Sequence, residues 1–193
     1  MATGSSGSRR RARSRRPRVA VLRIGHRAGR DPRLTTHLAL AARALGAEAM
    51  YLHPPDPDLA ARVAAVGARW GGSFAVEPAP EWKRIVREFD GPVVHLSMYG
   101  QPWARVAPRL RGADRLLLVV GGAKVPPDLY RLATYNAAVG HQPHSEVSAL
   151  AVVLADLLGV PGPGAWPGAD RAIVPRARGK RVRVVRPRRR ALP

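Results

Sequence analysis

The sequence predicts a single α/β domain, a mostly parallel, Rossmann-like sheet with helices on both faces. Two observations carry this. From Arg18 onward, short β-branched or aliphatic runs alternate with Ala/Leu-rich stretches of helical length, and such a βαβα rhythm pairs its strands in parallel through crossover helices. The 193 residues are 46% hydrophobic, which supports one substantial core and is too little chain for two ordinary domains.

Each element has its own signal. Val19-Ala-Val-Leu-Arg-Ile24 reads as a first buried strand. Residues 33–45 form an Ala/Leu-rich helix ending at Gly46, a favoured C′ residue. Residues 47–53 read as a second strand, and Pro54-Pro-Asp-Pro-Asp58 as a turn capping a helix through Val66. Residues 74–77 are a weak strand, followed by a helix near 81–89. Strands at 93–98 and 115–120 flank a helix at 103–110. A short helix at 128–132, a strand at 135–138 and the most apolar helix, 147–158, follow, with late strand at 172–174 and 182–185.

Charge divides the chain differently. The net charge is +20, yet residues 1–18 hold seven Arg and no acid, and residues 176–193 hold nine Lys or Arg and no acid. The 157 residues between carry 17 basic and 13 acidic groups. We therefore expect an Arg-rich arm over 1–17, a domain over 18–185 and a basic tail over 186–193. Polycationic ends favour a polyanion as partner and make its binding salt-dependent.

Several function classes are excluded. With no Cys there is no disulfide framework, thiolate zinc site or thiol nucleophile. No apolar run reaches the roughly 18 residues of a membrane helix, and the N-terminus lacks the apolar region of a signal peptide, so the expected location is cytoplasmic. Gly-x-Gly-x-x-Gly, a P-loop and Gly-x-Ser-x-Gly are all missing. Of six His, only His141 and His144 stand close, without carboxylate companions, so no metal is expected.

The functional signal lies past the carboxyl ends of the late strands, where open α/β sheets bind ligands. Val139-Gly-His-Gln-Pro-His-Ser-Glu146 is polar and turn-rich, yet it leads straight into the most apolar helix. Ser145 suits the cap of that helix and Glu146 its first turn. Leu96-Ser-Met-Tyr-Gly100 and Gly121-Gly-Ala-Lys-Val-Pro126 end on the same sheet edge. Gly121 and Gly122 allow close backbone approach; Leu96, Val125 and Val139 can sandwich a flat ring, and Lys124 can meet a carboxylate. A fourth loop carries Arg23, Arg27, Arg30 and Arg33 ahead of Thr35, Thr36 and His37, a phosphate-binding composition beside a helix N-terminus.

From about Val19 to Val185 the chain resembles the archaeal tRNA cytidine 2′-O-methyltransferases of the SPOUT (trefoil-knot) superfamily, those that modify cytidine 56 in the T-loop. The carrying segments are Leu22-Arg-Ile-Gly-His-Arg27, Arg30-Asp-Pro-Arg33, Thr35-Thr-His37, Trp70-Gly-Gly72, Val94-His-Leu-Ser-Met-Tyr-Gly100, Lys124-Val-Pro126, Gln142-Pro-His-Ser-Glu146 and Ala177-Arg-Gly-Lys180. The resemblance implies a deep C-terminal trefoil knot, a homodimer, tRNA as substrate and S-adenosylmethionine as cofactor. It implies cofactor contacts from Leu96, from Gly121, Gly122, Ala123, Lys124 and Val125, and from Val139, Gly140, His141, Gln142, Pro143, His144, Ser145 and Glu146. Two positions depart from the family pattern, which usually has Glu at Ala123 and often Asn at His141.

For the chemistry, a ribose hydroxyl needs its proton removed. A guanidinium stays protonated, so Arg30 or Arg33 is expected to clamp the adjacent phosphate and His37 is the easier base. Arg23 and Arg27 are expected to contact RNA. Two alternatives stand: a non-catalytic RNA-binding or ribosome-associated protein, and a SPOUT enzyme with another tRNA ribose as target.

Overall fold

The computed structural model describes residues 16–30, 32–122 and 124–185. Six parallel strands form one twisted sheet in the order β3-β2-β1-β5-β4-β6. They are β1 (Arg18–Arg23), β2 (Ala49–Leu52), β3 (Ala75–Pro78), β4 (Val93–Pro102), β5 (Arg115–Val120) and β6 (Tyr135–Ala138). Helices α1 (Pro32–Ala44), α2 (Pro57–Trp70), α3 (Trp82–Glu88), α4 (Trp103–Val106), α5 (Pro127–Leu132) and α6 (Glu146–Leu158) connect or follow them. The expected fold class is the one found.

The central strands are buried on both faces, and alternation divides the core into two layers. Along β5, Leu116, Leu118 and Val120 join the layer under α1, α2, α4 and α6, while Leu117 and Val119 face α3 and α5. Leu38, Ala39 and Ala42 of α1 meet Leu150, Val153, Leu154 and Leu158 of α6 in the first layer. Trp82, Val86 and Leu129 fill the second. Asp56 caps α2 by accepting from the Leu59 N–H at 2.9 Å.

Four differences from the sequence reading have physical causes. The expected helix at 103–110 is one turn of α-helix followed by a 3-10 turn at Ala107–Leu110, because Pro108 has no N–H to continue the ladder. The second strand starts at Ala49, since the Ala47 N–H closes the end of α1 on the Ala42 carbonyl. The second helix runs on to Trp70 and stops where Gly71 adopts φ +78°. The late strands β7 (Arg171–Ile173) and β8 (Val182–Val184) form a separate antiparallel ribbon rather than extending the main sheet. The basic tail at 186–193, and all but the last two residues of the Arg-rich arm, lie outside the described residues. Among the described residues, no helix is long and apolar enough to cross a membrane.

The Trp70-Gly-Gly72 segment is where residues 166–170 dock. The Gly72 N–H donates to the Pro167 carbonyl at 2.8 Å. A Cβ on Gly72 would lie 2.7 Å from the Trp166 ring, and one on Gly71 would lie 2.8 Å from three backbone atoms of residues 166–169. Arg43, buried, donates to the Gly71 carbonyl at 2.5 Å and stacks its guanidinium 4.8 Å from the Trp166 ring centroid. Gly72→Ala should therefore lower unfolding free energy by about 2–4 kcal/mol, overpacking added to left-handed strain. Gly112 also has positive φ but faces open space, so Gly112→Ala should lose only the strain, about 1–2 kcal/mol. Urea midpoints of the two variants measure the difference, and equal losses would remove Trp166 packing as the cause.

Candidate functional site

The pairing of β4 with β5 ends at Leu96 opposite Val120, the last residue of β5. Beyond them three loops close on one another. The β4–β6 pairing jumps from Leu96 to Gln101 opposite Ala137, so Ser97–Gly100 is thrown out of the ladder as a bulge. The Gly121–Pro126 loop and the Val139–Ser145 loop meet it. His141 Nδ1–H donates to the Met98 carbonyl at 2.9 Å, tying the third loop to the bulge. An Asn side chain also carries a donor, so the His141 departure preserves the chemistry of that contact.

The loops enclose a cavity of about 290 Å³. Of the residues expected there, Leu96, Gly121, Gly122, Val125, Val139, His144 and Glu146 border it. Gly140, His141, Gln142 and Pro143 face the outer side of their loop, bordering a second hollow of about 370 Å³ with Ala149 and Val152. Ser145 caps α6, its hydroxyl accepting from the Val147 N–H at 3.2 Å. The Lys124 side chain is exposed and does not border the cavity, and Ala123 lies outside the described residues. The glycines are required by crowding. A Cβ on Gly121 would stand 2.2 Å from Val125 Cγ2, and one on Gly122 would stand 3.1 Å from the Gly25 carbonyl oxygen. The first loop thus packs directly on the glycine loop.

Arg23 corrects the sequence reading. It was expected on an RNA-facing surface, but it is 1% exposed. Its guanidinium donates to the Gly121 carbonyl at 2.6 Å and lies 3.5 Å from a Glu146 carboxylate oxygen. It joins β1, the glycine loop and the first turn of α6. The reason is its place on a central strand covered on both faces. Ala20 and Leu22 are buried on one side of β1 and Val19 and Val21 on the other, and alternation only puts Arg23 in the layer of Val19 and Val21.

The cavity's other wall joins Ser97, from the first of the expected loops, to three residues outside the expected site, His95, Tyr130 and Asn136. His95, Ser97 and Tyr130 border it, and Asn136 stands behind. Asn136 donates through Nδ2 to the Tyr130 carbonyl at 2.9 Å, so its Oδ1 accepts from His95 Nδ1–H, also at 2.9 Å. The His95 ring sits edge-on to Tyr130 with centroids 4.7 Å apart, and the Tyr130 hydroxyl pairs with Ser97 Oγ at 3.2 Å. His95 is fully buried, and desolvation holds its pKa below the usual imidazole value despite the Asn136 hydrogen bond. The signal was present in the sequence as one polar residue inside each of two apolar strands, His95 and Asn136, which prove to be register partners.

The first loop is braced from below. Buried His26 contacts Thr35 Oγ1 at 2.9 Å through Nδ1 and Asp56 Oδ2 at 3.0 Å through Nε2. The Leu59 N–H, with help from His26, holds the Asp56 carboxyl below the ordinary carboxylate range. Above this brace, Arg27, Arg30, Arg33 and His37 are exposed. None of the four borders the cavity. Among the described residues, no group of three or more metal-ligating side chains occurs.

A family model described as tRNA ribose 2'-O-methyltransferase, aTrm56, matches residues 70–183. A protein of Archaeoglobus fulgidus named tRNA (cytidine(56)-2'-O)-methyltransferase is 47% identical over 164 residues, 85% of this chain and 97% of its own length. The chain belongs to this family. A relative of the same name from Thermococcus kodakarensis is 47% identical over 175 residues, covering 86% of this chain and 97% of its own. Among solved structures, the AdoMet-bound rRNA methyltransferase of Sinorhizobium meliloti matches with a TM-score of 0.55 at 20% identity, over 75% of this chain and 57% of that one. The chain thus spans just over half of that structure, and the likeness is one of fold.

Two outcomes follow from this cavity. Gly121→Ala must displace Val125 from the wall, so its Kd for S-adenosylmethionine should rise at least about tenfold, read by calorimetry, with tRNA affinity retained. An unchanged Kd would place the cofactor elsewhere. His95 generates a pH dependence: below about pH 6.5 the unfolded chain protonates this imidazole while the folded chain resists. The unfolded state then binds more protons, so stability is full above that pH and declines as pH falls. His95→Gln should flatten this part of the decline in urea midpoints, and parallel curves would contradict it.

Proposed function

We propose that this protein transfers a methyl group from S-adenosylmethionine to the ribose 2′-oxygen of cytidine 56 in tRNA. The observation that carries the reading is the cavity at which the segments shared with the tRNA ribose methyltransferase family converge. Its composition fits the cofactor. Leu96, Val125 and Val139 supply apolar walls for a planar ring, Gly121 and Gly122 bare backbone, and Glu146 and His144 polar partners for an amino-acid end. When bound, S-adenosylmethionine supplies a methyl group on a positively charged sulfur. The chain's own contribution is largely positioning, because aligned reactants convert an encounter into an intramolecular step.

The catalytic roles are assigned to the exposed first loop. Arg30 and Arg33 clamp the phosphate beside the target ribose and remain cationic while doing so. His37 accepts the 2′-hydroxyl proton, and Arg27 adds a phosphate contact. These groups do not border the cavity of their own chain, which favours an active site completed by a second copy. The homodimer we propose accordingly uses the outer hollow at Val139–His144, where Val152 of α6 is 47% exposed. The proposed knot is supported by β6 lying at the sheet edge beside β4 while α6 returns to pack on α1.

The test is transfer of labelled methyl groups to an unmodified tRNA transcript and to one carrying 2′-deoxycytidine at position 56. Label on the first and none on the second is the expected result. Label on both would assign a different ribose, and no label with tRNA still bound would favour a binding-only protein.

A further inference from the structure

The β7–β8 ribbon has a construction that the methyl-transfer site does not use. Arg171 pairs with Val184, Ala172 with Arg183 and Ile173 with Val182. One face is anchored: Ala172 is buried against the body. The opposite face sets Ile173, Val182 and Val184 side by side, 62%, 51% and 74% exposed. Arg171 shares this face, Arg176, Arg178, Lys180 and Arg181 lie in the connection between the strands, and Arg183 lies on the other face opposite Ala172. All six are exposed, and residues 171–185 contain no acid. Among the described residues, none of the six enters an ion pair.

Nothing in the fold's own stability calls for this arrangement. An isolated two-stranded ribbon is marginal in water, and six uncompensated cations add self-repulsion. Yet its root is fixed. Asp170 N–H donates to the Arg69 carbonyl at 3.2 Å, Val185 N–H to the Asp170 carbonyl at 2.7 Å, and Val174 N–H to the Arg181 carbonyl at 2.9 Å. The preceding residues 166–169 are locked onto Gly71 and Gly72. The molecule therefore holds out a rigid, cationic strand pair with an apolar centre.

We propose that this ribbon is a tRNA-docking arm: its Arg and Lys groups meet backbone phosphates while Ile173, Val182 and Val184 pack on riboses. It rests on the reading of tRNA as substrate. Charge decides the occupant, because a second copy of the ribbon would oppose six cations with six, whereas a polyanion neutralises them and releases counterions. Such contacts position the RNA without reading its sequence. The wide, shallow minor groove of A-form RNA, lined by 2′-hydroxyls, offers the aliphatic stripe a matching surface.

The experiment uses the full chain and tRNA transcript, with Arg176→Ala/Arg178→Ala/Lys180→Ala/Arg181→Ala as one variant and Ile173→Ser/Val182→Ser as another. Direct tRNA binding against salt, KM and kcat for tRNA, Kd for S-adenosylmethionine and sedimented mass are read for each. The cationic variant should bind tRNA at least about tenfold more weakly, with the salt slope reduced by about 2–4, near 0.7–0.9 per lost phosphate contact. The loss should fall on KM rather than kcat, with cofactor affinity at the wild-type value as proof of folding. The aliphatic variant should weaken tRNA binding with its salt slope intact. Unaltered tRNA affinity in both variants would overturn the proposal, as would an aliphatic variant that changes sedimented mass instead of RNA binding. Because binding is read directly, a wild-type chain that binds tRNA but transfers no methyl group would sink the proposed activity and leave the ribbon's role supported.

Discussion

The buried guanidinium of Arg23 is the contact on which the site's geometry depends. A cation cannot shed its charge in the interior, so an unpartnered one would cost several kcal/mol. Here the Gly121 carbonyl and the Glu146 carboxylate meet it. Those two partners belong to the glycine loop and to the first turn of α6, so satisfying one charge fixes both cavity walls relative to β1. A Cβ on Gly122 would then press on the Gly25 carbonyl oxygen at 3.1 Å, while Gly25 itself is held to glycine by its φ of +72°. The carboxylate gains a second reason for its place, since it also lies at the positive end of the α6 dipole.

Much of this was legible in the sequence because parallel sheets buried on both faces write themselves as aliphatic runs. Val19–Ile24, Val93–Leu96 and Leu116–Val120 each follow that pattern, and the helices between them carry the stripe of apolar residues that packs on the sheet. The convergence of three loops also follows from topology, since parallel strands deliver their carboxyl ends to one edge. What the pattern could not give was strand order and the fate of the last 25 residues of the domain. The β7–β8 ribbon shares no register with the main sheet, and its docking partner, the Trp70–Gly72 turn, lies about a hundred positions earlier in the chain.

The cavity's polar wall was missed because residue type alone does not reveal which histidine matters. His141 and His144 drew attention through their setting in a specialised loop, whereas His95 sits in a run of valines and leucines. In the fold its hydrogen bond to Asn136 makes that placement tolerable: a neutral imidazole donating to one amide is far cheaper to bury than an imidazolium. The register of β4 on β6 makes the two polar side chains direct neighbours. Strand pairing, not local sequence, holds that information.

The arginines show the same limit from the other side. Arg23, Arg27, Arg30 and Arg33 look alike as a basic cluster, and composition assigns all four to phosphate. Arg23 is inside because β1 is covered on both faces, while Arg27 and Arg30 in the turn that follows and Arg33 at the start of α1 are exposed. Arg43 is sorted by the same logic on a helix, since it follows Ala39 by four residues on the buried stripe of α1 and so meets Gly71 and Trp166 instead of solvent. Membership of a strand covered on both faces, or of the buried stripe of a helix, therefore separates these structural cations from the exposed ones. Exposure alone does not mark an RNA contact, since Arg62, Arg87, Arg105 and Arg111 among the described residues are exposed as well. What distinguishes the two sets we propose for tRNA, the first loop with the start of α1 and the β7–β8 ribbon, is that several cations stand together on each.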